Sequence, residues 1–148
     1  MQPYPRRVDA DGLRALVREY DFVIDATDNF PSKYAINAAC VHAGIPFSHG
    51  GVLRFAGQTM TYRPGHACYA CVFGEAPDEE AQRACSRAGI LGAIPGMLGS
   101  IQAAEALKFL VGIGDLLLDR LLTFDAKRMT FRTIPISRNP ACPVCGTL

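Results

Sequence analysis

Asp21-Phe22-Val23-Ile24-Asp25-Ala26-Thr27-Asp28-Asn29 decides the fold. Asp21 to Ala26 holds a short apolar run rich in β-formers, which reads as a buried strand. Thr27-Asp28-Asn29 follows at its C-terminal end. Pro31 suits the first turn of a helix, which should run to about Ala43 and stop at Gly44. Ile45 to Ser48 is a second short apolar run, so strand, helix and strand follow one another as in an α/β sheet. Upstream, Leu13, Leu16, Val17 and Tyr20 fall at helical spacing after Asp9 and Asp11, which can cap.

Downstream, Val52 to Ala56 and Gln58 to Tyr62 flank Gly57 and read as a hairpin. Arg63 to about Gly89 is long, polar and cysteine-containing, and loops of that length tend to be functional or mobile. Gly89, Gly92, Gly96 and Gly99 would share one helical face, which reads as close packing against a neighbour rather than a nucleotide loop. A helix from Ser100 to about Val111, or its continuation, ends near Gly112 and Gly114. Leu121 to Asp125 and Thr130 to Ile134 make a late hairpin.

The chain has 148 residues, 49% apolar and 20% charged, enough for one domain with a core. A net charge of +1 gives no electrostatic case for nucleic acid or an anionic membrane. The N-terminus shows no secretory signal. The most apolar stretch, Ala88 to Ile101, is too short to span a bilayer and holds Pro95. With six cysteines and no signal, metal or thiol chemistry in a reducing cytosol is expected, hence a cytoplasmic protein.

Two Cys-x-x-Cys pairs, Cys68/Cys71 and Cys142/Cys145, each suit half of a tetrahedral zinc site. Four thiolates would leave no position for water, so such a metal is structural. A redox role is the rival, but neither pair is predicted to open a helix after a strand. His66 is a reserve ligand. Asp28 lies where open α/β sheets bind ligands, and its carboxylate could hold Mg²⁺ on a nucleotide. It could equally cap the next helix, and the residues alone favour the cap. Cys85, between Arg83 and Arg87, has charges that would stabilise a thiolate, or is a loop cysteine without a role. Cys40 reads as core.

Asp25-Ala26-Thr27-Asp28-Asn29, the Cys68/Cys71 knuckle, Ala88 to Gly92 with Pro95-Gly96, the helix Gly99 to Lys108, and Cys142/Cys145 occur here in one order. Together they resemble the HesA/MoeB/ThiF family, adenylyltransferases that activate ubiquitin-like sulfur carriers. The resemblance runs from about Val8 onward. It implies a Rossmann-like ubiquitin-activating-enzyme fold: a mixed α/β sheet with helices and a four-cysteine zinc knuckle. It also implies an ATP-dependent reaction, in which the C-terminal glycine carboxylate of the carrier attacks the α-phosphate. The products are an acyl-adenylate and pyrophosphate.

The resemblance places Asp28 as the Mg²⁺/ATP carboxylate with Asn29 beside it. Lys33 stands in the ATP site where the family has Arg, keeping the charge without the bidentate fork. Cys85 matches a cysteine that links covalently to the carrier in some members. Cys68, Cys71, Cys142 and Cys145 match the structural zinc, and Phe73 to Arg87 a mobile segment near the active site. The partners implied are a carrier with a Gly-Gly terminus, of the molybdopterin, thiamine or tRNA-thiolation type, and a second copy in a homodimer. The family's opening strand, G-x-G-G-x-G-type loop, acidic ribose-binding residue and phosphate-contacting Arg and Lys are not found before Val8. The expectation is therefore a single partial domain over residues 1–148, the C-terminal portion, with an exposed apolar sheet edge at Phe22–Ala26. Adenylation by this chain alone should be weak or absent. A non-catalytic, zinc-stabilised carrier-binding module and a thiol-redox protein are the competing expectations.

Overall fold

Asp9 opens α1 (Ala10–Val17): its carboxylate accepts the Gly12 N–H at 2.8 Å. Helix α1 packs on α2 (Phe30–Ala43), and Val17 is buried there. A computed structural model describes every residue except Glu79, Ala81, Ala84, Cys85, Ser86, Thr147 and Leu148. The expectation for Cys85, and part of that for Phe73 to Arg87, lie outside the described residues.

Strand β1 (Val23–Asp25) pairs in parallel with β2 (Phe47–Leu53), Val23 opposite Phe47 and Asp25 opposite His49. Helix α2 is the crossover between them. It ends on Gly44 at φ 72, a left-handed cap that glycine takes without steric cost. From β2 the chain runs antiparallel through β3 (Ala56–Tyr62), β4 (Arg120–Asp125) and β5 (Thr130–Pro135), so the sheet order is β1-β2-β3-β4-β5. Within the described residues β1 pairs on one side only, and Ile24 on it is 44% exposed, the open apolar edge expected.

Two expectations change here. Ile45–Ser48 is not a strand of its own, and the hairpin does not turn at Gly57. Strand β2 is continuous to Leu53, and the turn is Arg54–Phe55, with Arg54 at φ 53. Gly57 lies inside β3. A Cβ there would come 3.1 Å from Ile94, so its small size serves packing.

A short helix, α3 (Tyr69–Phe73), lies in the stretch expected to be loop. Helix α4 (Ala93–Val111) then crosses β1, β2 and β3. It buries Ile94, Leu98, Gln102 and Glu105, spaced four, four and three along one face. Alternation on β2 sends Phe47 and His49 toward α2 and α3, and Gly50 toward α4. Helices thus cover both faces of the sheet at β1 to β3, while β5 is exposed along its length.

The glycine stripe does not pack against a neighbour, contrary to expectation. Gly89 precedes α4 at φ 67, and a Cβ on Gly92, Gly96 or Gly99 would meet nothing within 4 Å among the described residues.

The α4 contact with the sheet is polar at its centre. Gln102 donates from Nε2 to the carbonyls of Asp25 (2.9 Å) and Ser48 (3.0 Å), tying the ends of β1 and β2 together. Glu105 accepts from Thr61 Oγ1 and the Leu117 N–H, both at 2.7 Å, and pairs with Lys108. Gly50 makes room for the Gln102 amide, since an added Cβ would stand 2.5 Å from Oε1. Gly50→Ala should therefore cost about 1–3 kcal/mol, as overpacking against an amide that two hydrogen bonds hold still. A urea midpoint equal to wild type would show that Gln102 can move aside.

Candidate functional site

Strand β1 ends at Asp25, and the chain turns outward through Thr27, Asp28 and Asn29 into α2. The cap of α2 is Asn29, whose Oδ1 accepts the Ser32 N–H at 2.9 Å. Asp28 is therefore not the cap favoured from the residues alone. Its carboxylate is exposed and, among the described residues, accepts a hydrogen bond only from the Asn29 amide, at 3.2 Å.

Asp28 lines a cavity of about 1090 Å³, a size fit for a nucleotide-like ligand. The cavity lies at the C-terminal end of β1, between that end, the later part of β2, the start of β3, the first half of α4 and the β4–β5 hairpin. Asn29, Lys33, His49, Gly50, Gly51 and Gly99 also line it, with Arg128 and Arg132 on the hairpin side. Gln82 and Arg83, from the stretch expected near an active site, reach it as well.

Beneath Asp28 sits a buried cluster of charged and polar groups that the sequence did not single out as a unit. Asp25 is 1% exposed and is its hub. Its Oδ2 takes Lys33 Nζ at 3.1 Å and His49 Nδ1 at 3.2 Å, while Oδ1 takes the Thr27 N–H at 3.0 Å and hydroxyl at 2.6 Å. Lys33 also donates to the Gly50 carbonyl. Burial pushes the Asp25 carboxyl up, but His49, the Lys33 charge and Thr27 outweigh it and hold it at about 2. Burial pulls the Lys33 ammonium below its ordinary value, with Asp25 and Asp28 pulling it back up. The pair is thus favourable for the carboxylate and costly for the ammonium. Such a pair adds little net stability but is expensive to break. Lys33, expected in the ATP site, lines the cavity with its charge committed to Asp25. Burial also lowers the His49 pKa, so its imidazole is neutral at pH 7.

The second centre is the cysteine cluster. Cys68 caps α3, so one pair does open a helix, although residues 63–67 separate it from β3. Cys142 and Cys145 arrive from the segment after β5, and the four sulfur atoms lie within 4.8 Å of one another. Cys68 Sγ stands 3.8 Å from Cys71 Sγ and 3.7 Å from Cys142 Sγ, and Cys71 Sγ 3.3 Å from Cys145 Sγ. Sulfurs at about 2.3 Å from one tetrahedral zinc stand roughly 3.8 Å apart, so the thiol set fits that ion. The Asn139 N–H donates to Cys71 Sγ at 3.4 Å, and Arg138 holds the Cys145 carbonyl at 2.6 Å. His66 is not a ligand: its Nδ1 meets Asp119 at 2.7 Å. Cys40 is in the core.

Asp25, His49, Gln102 and Glu105 were missed as functional or organising residues. The spacing of residues 94, 98, 102 and 105 was the available signal for the last two.

The ThiF family model matches residues 1–144. The SAMP-activating enzyme E1 of Haloferax volcanii is 45% identical over 146 residues, covering 99% of this chain and 54% of that protein. The sulfur carrier protein adenylyltransferase of Thermus thermophilus is 41% identical over 152 residues, covering 99% of this chain and 56% of that protein. The adenylyltransferase and sulfurtransferase MOCS3 of Mus musculus is 44% identical over 145 residues, 97% of this chain and 32% of that protein. The crystal structure of E. coli MccB with ATP superposes with a TM-score of 0.77 at 24% identity, covering 93% of this chain and 42% of that one. That last likeness is one of fold. The chain spans about half the length, or less, of the curated relatives it matches. Among the described residues no helix is long and apolar enough to cross a membrane.

Proposed function

The chain belongs to the ThiF family, and on that footing we propose that it serves ATP-dependent adenylation of the C-terminal glycine of a ubiquitin-like sulfur-carrier protein. The observation that carries the reading is Asp28. It stands at the mouth of a nucleotide-sized cavity, at the end of a parallel strand, relieved of capping by Asn29. A single carboxylate beside a nucleotide's phosphates is the kind of site magnesium takes. Bound there, the ion would offset phosphate charge.

In this reading Asp28 holds the metal and Asn29 orients it through their hydrogen bond. Lys33 adds positive potential from below while keeping Asp25 ionised. The four clustered cysteines hold a structural zinc. Cys85 would carry a covalent link to the carrier in those mechanisms that use one. Residues 1–148 form a single partial domain in this reading. A second copy would cover Leu107, Leu110, Val111 and Ile113, exposed at the end of α4, and the setting is the cytoplasm.

The test is carrier-dependent exchange of pyrophosphate into ATP by the protein that contains this chain. Asp28→Asn should lower it roughly a hundredfold, the scale of losing one charge-stabilising group at a phosphoryl centre. Exchange at the wild-type rate would remove Asp28 from the mechanism. A second reading is a non-catalytic, zinc-stabilised carrier-binding module built on the clustered cysteines. Carrier binding by the chain alone, with no ATP affinity, would select it.

A further inference from the structure

His49 is the buried group that the proposed chemistry leaves unused. Its Nδ1 faces the Asp25 carboxylate at 3.2 Å. An ionised carboxylate only accepts, so Nδ1 carries the proton and Nε2 carries the lone pair. The imidazole packs against the rings of Tyr69 at 4.6 Å and Phe73 at 5.7 Å between centroids, which holds it in place.

Nε2 is fully buried and, among the described residues, has no hydrogen-bond partner. An unpaired buried acceptor costs stability, and folded chains leave few of them. A Cβ built on Gly51 would stand 3.3 Å from Nε2, so any side chain at position 51 would crowd this atom. His49, Gly50 and Gly51 all line the cavity. The pairing with β1 stops at His49, while β2 runs on to Leu53, so beyond His49 no described strand lies on the β1 side of β2.

We propose that His49 Nε2 accepts a hydrogen bond from a backbone amide N–H of the carrier's C-terminal tail, an inference that rests on the carrier reading above. The donor must be slender, because Nε2 is closed to solvent in the free chain and is reached only by a small shift of the residues around it. It must also be neutral, because a cation would be costly to bury beside a neutral imidazole. An amide flanked by glycines meets both conditions. The open side of β2 beyond His49 suits an extended backbone. His49 is thus a positioning residue, and Asp25 sets its tautomer.

The test uses the metal-loaded chain, ¹⁵N-labelled at histidine, and two short synthetic peptides ending in Gly-Gly. In the second peptide the penultimate amide is replaced by an ester, which removes only the N–H. The His49 signal is identified by its loss in His49→Gln. The amide peptide should move the Nε2 resonance toward a hydrogen-bonded position, and the ester should bind about tenfold more weakly. In His49→Phe the two peptides should bind alike. Equal affinities in the wild type would overturn the inference and leave the carrier reading standing. So would an Nε2 resonance already hydrogen-bonded in the free chain and unmoved by peptide, which would mean a bound water. A shift caused by ATP alone would overturn it too, by assigning the acceptor to the nucleotide. No binding of either peptide by the folded chain would overturn the carrier reading and, with it, this one. The resonance test stands even if His49→Phe fails to fold.

Discussion

Cys142→Ser is expected to lower the stability of the chain by about 3–5 kcal/mol or more and to release the segment after β5. Structural zinc sites supply roughly 10–16 kcal/mol of folding free energy in small domains, because the unfolded chain has no preformed site. Here that energy would be concentrated where few other contacts act. Residues 136–146 form no helix or strand, and their tie to α3 runs through the sulfurs and the Asn139 N–H, while Arg138 binds the Cys145 carbonyl within the segment itself. A strong chelator should shift the wild-type urea midpoint in the same direction as the substitution. It should do little to Cys142→Ser, whose site is already broken. A reduced wild-type chain that contains no zinc yet unfolds at an unchanged midpoint would end the structural-metal reading.

Asp25→Ala should be nearly as damaging, on the order of 3–5 kcal/mol, because it leaves the Lys33 ammonium buried without its counter-charge. Thr27 and His49 would lose their acceptor as well. Adding Lys33→Met to Asp25→Ala should recover part of the loss, since an apolar side chain of similar length has no charge to strand. If the double variant is no more stable than the single one, the charge is not the cause. A pH signature accompanies this. The Asp25 pKa is depressed from 3.8 to about 2 in the folded chain. Its contribution is therefore fully present above about pH 4 and is lost as pH falls toward 2, amounting to about 2 kcal/mol. Asp25→Asn should flatten the stability profile across that window, on top of a constant loss from the stranded ammonium. A slope between pH 4 and 2 as steep as in the wild type would place the titration on other carboxylates.

The sequence revealed most where a local rule was sufficient. The apolar run before Asp28, Pro31 and Gly44 marked strand, helix and helix end, and the four cysteines could be paired by spacing alone. Long-range register was out of reach. Asp25 and His49 are 24 residues apart, and they meet only because β1 and β2 align in parallel at that pair. Gly57 was read as a turn because glycine is common in turns, whereas its smallness accommodates Ile94. Gln102 and Glu105 entered the sequence reading only as members of the helix Gly99 to Lys108. The sheet beneath them presents Ser48 and Thr61, with carbonyls that welcome a buried amide. Asp28 and Asn29 are both good caps, and one-dimensional rules cannot say which of two neighbours turns inward.

The cysteine cluster also orders events in time. Cys68 and Cys142 are 74 positions apart, and β4, β5 and α4 all lie between them. During synthesis, the thiols of Cys68 and Cys71 leave the ribosome long before their counterparts. Until Cys145 emerges, α3 carries half a ligand set, open to oxidation or to a stray ion. The nascent chain therefore has a late checkpoint: the middle of the molecule is locked only after the polypeptide that follows it has been made.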